Sequence, residues 1–122
     1  MLNDKFAICD AYSVTFKGFM DYLDIPCILI ASFPMSHVWN MVKLDDDCWY
    51  HVDVTWDDPG WNDEEWEMGW ISYQHLVRND AGISINHYGW AEEYFPVANG
   101  TLYEDYFDHN YIRQLKSSDF ED

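Results

Sequence analysis

The chain has 122 residues, with 23 acidic side chains against six basic ones and a formal net charge of −17. That length holds one hydrophobic core, and the charge excludes nucleic acid and anionic membrane surfaces as partners, because both are bound through clustered Lys and Arg. An apolar content of 48%, with 19% aromatic residues, sets the chain apart from a disordered acidic segment.

The longest apolar stretch, 25–35, is broken by Pro26, Ser32 and Pro34 and is too short to span a bilayer. No charged-then-apolar leader opens the chain, so a cytoplasmic location is the default expectation. The three cysteines, Cys9, Cys27 and Cys48, show neither a disulfide framework nor a CxxC zinc pattern.

The first element reads as a helix. Tyr12, Phe16, Phe19 or Met20, and Leu23 recur at steps of three and four, and would face a core with Lys17 and Asp21 turned outward. Cys9 and Asp10 stand at its start, and Asp24-Ile25-Pro26 ends it. Residues 27–33 are almost all apolar and read as a strand buried on both faces.

Two runs rich in β-branched and aromatic residues follow, 37–44 and 48–54, separated by Asp45-Asp46-Asp47. Short polar side chains support a turn backbone locally, so the two runs form a β-hairpin. Residues 57–69 read as a loop of acids and tryptophans. A further strand is expected over 71–77, a turn over Asn79-Asp80-Ala81-Gly82, and another strand within 83–90. The last thirty residues carry no assignable period. The fold class is α+β, in one domain spanning 1–122.

A cysteine at a helix start, a histidine opening one hairpin strand and an aspartate in the next supply the side chains of thiol nucleophilic catalysis. A helix N-terminus lowers a thiol pKa, an imidazole pairs with the thiolate, and a carboxylate on the far ring nitrogen fixes the tautomer. Spacing tests the hairpin. With a three-residue loop Leu44 lies opposite Cys48 and Trp39 opposite Asp53, so His37 is one diagonal step from Asp53 on the same face. A two-residue loop would put His37 and Asp53 on opposite faces.

At these residues the sequence resembles the transglutaminase-like superfamily. The resemblance is carried by Ile8-Cys9-Asp10-Ala11-Tyr12, by DIPCILI over 24–30, by His37-Val38-Trp39-Asn40-Met41-Val42 and by Trp49 to Pro59. It runs from about Lys5 to Pro59 and continues weakly through 72–80 and 87–90. Arylamine acetyltransferases share the Cys-His-Asp order, but the Thr55-Trp56-Asp57-Asp58-Pro59 tail fits the transglutaminase-like group better.

The resemblance implies a papain-like core, an N-terminal catalytic helix packed on an antiparallel sheet, and Cys9, His37 and Asp53 as catalytic residues. It implies acyl transfer or hydrolysis on amide or peptide substrates through a thioester, with peptidase or amidase action favoured over crosslinking. Ala11 stands where the family usually has glycine. The chain opens eight residues before Cys9, where family members have further helices. Truncation at the N-terminus is therefore expected, with a partner domain or a second copy replacing the missing helices. The alternative is a weak or inactive domain serving as a protein-binding or structural module.

Trp39, Trp49 and Trp56 read as hairpin packing, and Trp39, on the catalytic face, is also the candidate substrate contact. Asn40 falls on the opposite face and reads as structural, and Cys27 as core packing. His51 shares the His37 face by parity and reads as a solvated or packing residue. His75, His87 and His109 lack ligand-like spacing, so no metal or other cofactor is expected. The acids Asp57, Asp58, Asp63, Glu64, Glu65 and Glu67 read as a solvated loop rather than a calcium site. The partner expected is a protein or peptide substrate, neutral or basic given the acidic excess.

Overall fold

The computed structural model describes residues 4–56, 70–110 and 112–114. The expected loop over 57–69, with its acids and the end of the TWDDP motif, lies outside them. The order is helix α1 (Asp4–Tyr22), strands β1 (Cys27–Ser32), β2 (His37–Lys43), β3 (Trp49–Val52) and β4 (Trp70–Ser72), a one-turn helix α2 (Asp80–Ile83), a 3-10 turn (Glu92–Tyr94) and β5 (Ile112–Gln114). β1, β2 and β3 form an antiparallel sheet in that order, and β4 pairs with β5. The chain is thus a small α+β domain with an N-terminal helix on a three-stranded antiparallel sheet.

The hairpin has the register that spacing predicts. Asn40 pairs with Val52, Met41 with His51, Val42 with Tyr50 and Lys43 with Trp49. Its loop is Asp45-Asp46-Asp47, closed by Leu44 N–H to the Cys48 carbonyl at 3.1 Å and Asp47 N–H to the Leu44 carbonyl at 3.0 Å. Asp47 turns the chain at φ 65°, the left-handed position that a three-residue hairpin loop needs and that aspartate tolerates. Asp46 fixes the turn from within, accepting from Cys48 N–H at 3.2 Å and from the Tyr50 hydroxyl at 2.6 Å.

Strand alternation gives the sheet two working faces. Val42, Tyr50 and Val52 join Cys27 and Val77 in one core cluster, against which Phe16 and Met20 of α1 pack. On the other face Ile30, Trp39 and Met41 form a second cluster with Ala98, covered by Trp90 and Phe95. β1 is less enclosed than a strand buried on both faces, since Leu29 is 36% exposed at this edge of the sheet.

The inward face of α1 is rotated from the expected one. Cys9 and Ser13 are fully buried and Phe16 and Met20 half-buried, whereas Phe19 is 62% and Leu23 57% exposed. The polar pair Ser13 and Asn40 sets the rotation. The Ser13 hydroxyl bridges the carbonyls of Cys9 and Val38, and Asn40 Nδ2 donates to the Ser13 carbonyl at 3.1 Å and the Ile28 carbonyl at 3.4 Å. Asn40 thus ties α1, β1 and β2 at one point, as its placement opposite His37 implies. Asn40→Ala leaves two buried carbonyls without this donor and is expected to cost about 2 kcal/mol. A urea midpoint measures this, and a loss under about 0.5 kcal/mol contradicts the clamp.

Two expected elements differ beyond the hairpin. β4 ends at Ser72 instead of reaching Val77, and Asn79 caps α2 instead of opening a turn, its side chain accepting from Gly82 N–H at 2.8 Å. No strand occupies 83–90; Trp90 makes an isolated bridge to Ser32. The segment between these elements flanks β3. Arg78 and His51 exchange both backbone hydrogen bonds, and Asp53 N–H donates to the His75 carbonyl at 3.0 Å. Val77 adopts φ 56°, a strained conformation for a β-branched residue costing roughly 1–3 kcal/mol, between those two points of attachment.

Candidate active site

His37 opens the central strand and Asp53 follows the end of β3, so the sheet register alone brings them together. Nε2 of His37 lies 2.5 Å from Oδ2 of Asp53, and both side chains are about 98% buried or more. Oδ1 of the same carboxylate accepts the Trp56 backbone N–H at 3.1 Å. Trp56 and Trp39 stack on the His37 ring at centroid distances of 5.0 and 5.6 Å. The imidazole therefore has a fixed plane and a fixed carboxylate partner.

Cys9 also acts on this ring. Burial opposes the charged form of His37, but hydrogen bonding to Asp53 and to Cys9 outweighs it and holds the His37 pKa up at about 9. Nδ1, the ring atom away from Asp53, is buried with no hydrogen bond of ordinary geometry. Burial likewise opposes the Asp53 carboxylate, and the hydrogen bonds from His37 and His87 overcome it, bringing its pKa down to about 2. At neutral pH this is an imidazolium held by a carboxylate, with Cys9 beside it.

The helix start is a correction. α1 begins at Asp4, which makes Cys9 its sixth residue, with the sulfur fully buried. The N–H groups left unpaired by a helix belong to its first turn, so the dipole argument for a cysteine at the first position does not apply here. At this depth the Cys9 backbone N–H is engaged within the helix and is not free to hold an oxyanion. The expected stripe begins only at Tyr12, whereas the helix begins at Asp4.

Trp39 is 1% exposed. Its indole N–H donates to Nδ1 of His51 at 3.0 Å, and Nε2 of His51 lies 2.7 Å from Asp80 Oδ1. His51 is thus fully buried and bonded, not solvated. Burial raises the Asp80 carboxyl pKa, but the His51 and Ala98 N–H hydrogen bonds bring it below the usual range. A second Asp–His–Trp chain thereby runs behind the first, with Trp39 touching both. Cys27 packs in the core with a thiol pushed up by burial.

His87 carries no signal in its sequence spacing, yet its Nε2 lies 2.7 Å from the same Asp53 oxygen that His37 contacts. Asn86 bridges His87 and His75. Only tertiary folding of the irregular 73–90 segment brings these side chains to the hairpin. Among the described residues, His37, Asp53 and His87 are the one group whose donor atoms could hold a metal, all within 4.8 Å of one another. Their contacts are hydrogen bonds, however. A cation about 2.0–2.1 Å from each donor needs these atoms spread to about 3 Å or more.

Compared with protein-family models, with curated proteins and with solved structures, the chain matches none.

Proposed function

We propose that the chain is a transglutaminase-like cysteine acyl-transfer domain with a papain-like core, hydrolysing amide or peptide bonds in preference to crosslinking them. The observation that carries this reading is the His37 imidazole, held by Asp53 at 2.5 Å and raised in pKa by Asp53 and Cys9 together. The order and spacing of the three motifs support it, and the preference for water as acceptor rests on the resemblance.

In this reading the Cys9 thiolate attacks the amide carbonyl carbon and the carbonyl oxygen takes up the electron pair. His37 gives its Nδ1 proton to the departing amine as the C–N bond breaks, leaving a thioester on Cys9. A water then attacks the thioester, Nδ1 accepts its proton, and the C–S bond breaks to return the thiolate and release the acid. An amine in place of water gives transamidation. Asp53 accepts from Nε2–H throughout, keeping Nδ1 as the reacting nitrogen. The net charge of −17 favours neutral or basic peptides as substrates.

Burial of Cys9 favours a second reading, a binding or structural module that keeps the fold without turnover. Alkylation by iodoacetamide, followed residue by residue by mass spectrometry, separates the two. Cys48 is the more accessible thiol, so an excess of Cys9 labelling over Cys48 reports chemistry rather than access. Cys9 is expected to label at least tenfold faster than Cys27 and Cys48 at pH 6, and His37→Ala is expected to abolish the excess. Labelling of Cys9 no faster than the others at any pH leaves the binding module.

A further inference from the structure

The acyl-transfer steps use one imidazole, but the buried carboxylate holds two. Oδ2 of Asp53 faces Nε2 of His37 at 2.5 Å and Nε2 of His87 at 2.7 Å, and His87 is 1% exposed. We propose that His87 is a positioning residue of the site, whose Nε2–H fixes the Asp53 carboxylate against His37. The proposal rests on the acyl-transfer reading of Cys9, His37 and Asp53.

The argument is one of donors and acceptors. An ionised Asp53 accepts only, so Nε2 of His87 must carry a proton. Burial pushes the His87 pKa down despite the Asp53 hydrogen bond, which favours the neutral ring at pH 7. Oδ1 of Asn86 lies 2.7 Å from Nδ1 of His87, and Nδ2 of Asn86 lies 2.9 Å from Nε2 of His75. The Asn86 amide therefore spans the two rings and holds the His87 ring in place from the side away from Asp53.

The groups facing His87 come from every element around it. They are Asp53 after β3, His37 from β2, and His75 and Asn86 from the segment beyond β4. The Trp56 and Trp39 rings close the remaining sides at 4.2 and 4.8 Å. No lysine or arginine is within this set, so the His37 imidazolium and the hydrogen bonds from His37 and His87 are what keep Asp53 ionised. Removing one donor from a buried carboxylate raises the pH at which it protonates, and a protonated Asp53 no longer holds His37.

The test is the pH profile of Cys9 alkylation by iodoacetamide in the full chain, which needs no substrate. In His87→Leu the fall in Cys9 reactivity on the acid side is expected to begin roughly one pH unit higher than in the wild type. In His87→Gln, whose amide still donates, it is expected to return to the wild-type position. A residue serving only as packing would alter the unfolding midpoint and leave the profile in place, and that result overturns the proposal while the acyl-transfer reading stands. If His37→Gln labels at Cys9 like the wild type, the acyl-transfer reading fails, and the role of His87 with it.

Should His87→Leu fail to fold, nitrogen-15 spectra of the wild-type histidines decide. His87 is expected to be neutral at pH 7 with its proton on Nε2, and a proton on Nδ1 alone overturns the proposal.

Discussion

Replacing Asp53 with asparagine is expected to lower Cys9 alkylation at pH 6, and any turnover, by roughly 10³–10⁴-fold. The substitution keeps the side-chain volume and removes the charge that two imidazoles share. Asparagine offers a single acceptor oxygen, and if this faces His37 and His87, its NH2 group meets the Trp56 N–H. Burial of His37 then goes unopposed by a carboxylate and favours the neutral ring, which no longer stabilises a thiolate.

A stability signature accompanies this loss. The folded His37 pKa of about 9 stands above the ordinary value of 6.5. Its contribution is therefore fully present below pH 6.5 and is lost as the pH rises through about 9. A shift of this size corresponds to about 3 kcal/mol, and the lowered Asp53 pKa describes the same interaction and is not added to it. Urea unfolding at pH 6 and pH 9.5 should show the wild type weaker at the higher pH, with the difference absent in Asp53→Asn. Equal pH dependence in the two proteins would rule out the His37–Asp53 pair as its source.

Trp39→Ala is expected to be the most destabilising single substitution in the hairpin, at about 3–5 kcal/mol. The ring is 1% exposed, stacks on His37, meets Trp90 edge-on at 5.9 Å and supplies the N–H that satisfies His51 Nδ1. Trp39→Phe keeps most of the packing and loses the N–H, at an expected cost of about 1–3 kcal/mol. The two urea midpoints, with kinetic constants once a substrate is in hand, separate two roles for this residue. A packing role moves stability in both variants, whereas a substrate contact moves KM in Trp39→Phe with stability unchanged. A loss below about 1 kcal/mol in Trp39→Ala would contradict the packing role.

The hairpin was the part of the molecule most legible from sequence, and the reason is physical. Asp45-Asp46-Asp47 marks a turn by its chemistry, and strand parity then leaves no freedom over which side chains share a face, so His37 and Asp53 follow from counting. The start of α1 was less legible, because a helix backbone continues wherever its residues permit while an apolar stripe records only where a neighbour covers it. Met20, not Phe19, takes the inward position because a polar contact, Ser13 with Val38 and Asn40, sets the rotation. Val77 shows why the strand expected through 77 stops early: its positive φ is imposed by the attachments of Arg78 to His51 and of His75 to Asp53. His87, Asn86 and His75 could not be read at all. Their significance lies in contacts to a residue up to 34 positions away, and no local period encodes that.

The clamp of Asn40 on Ser13 has a consequence in time. Cys9, His37 and Asp53 come from a helix, a central strand and the end of a hairpin, and the hairpin can close from local contacts before α1 is seated. Asn40 to the Ser13 carbonyl and Ser13 to the Val38 carbonyl seat α1 on the sheet, and in the acyl-transfer reading proposed above they also bring Cys9 to the imidazole, so a half-folded chain would carry an unactivated cysteine. Reactivity would then arrive last, with docking of the helix. During synthesis this would spare the emerging chain, and its neighbours, from a nucleophile exposed before it has a closed site.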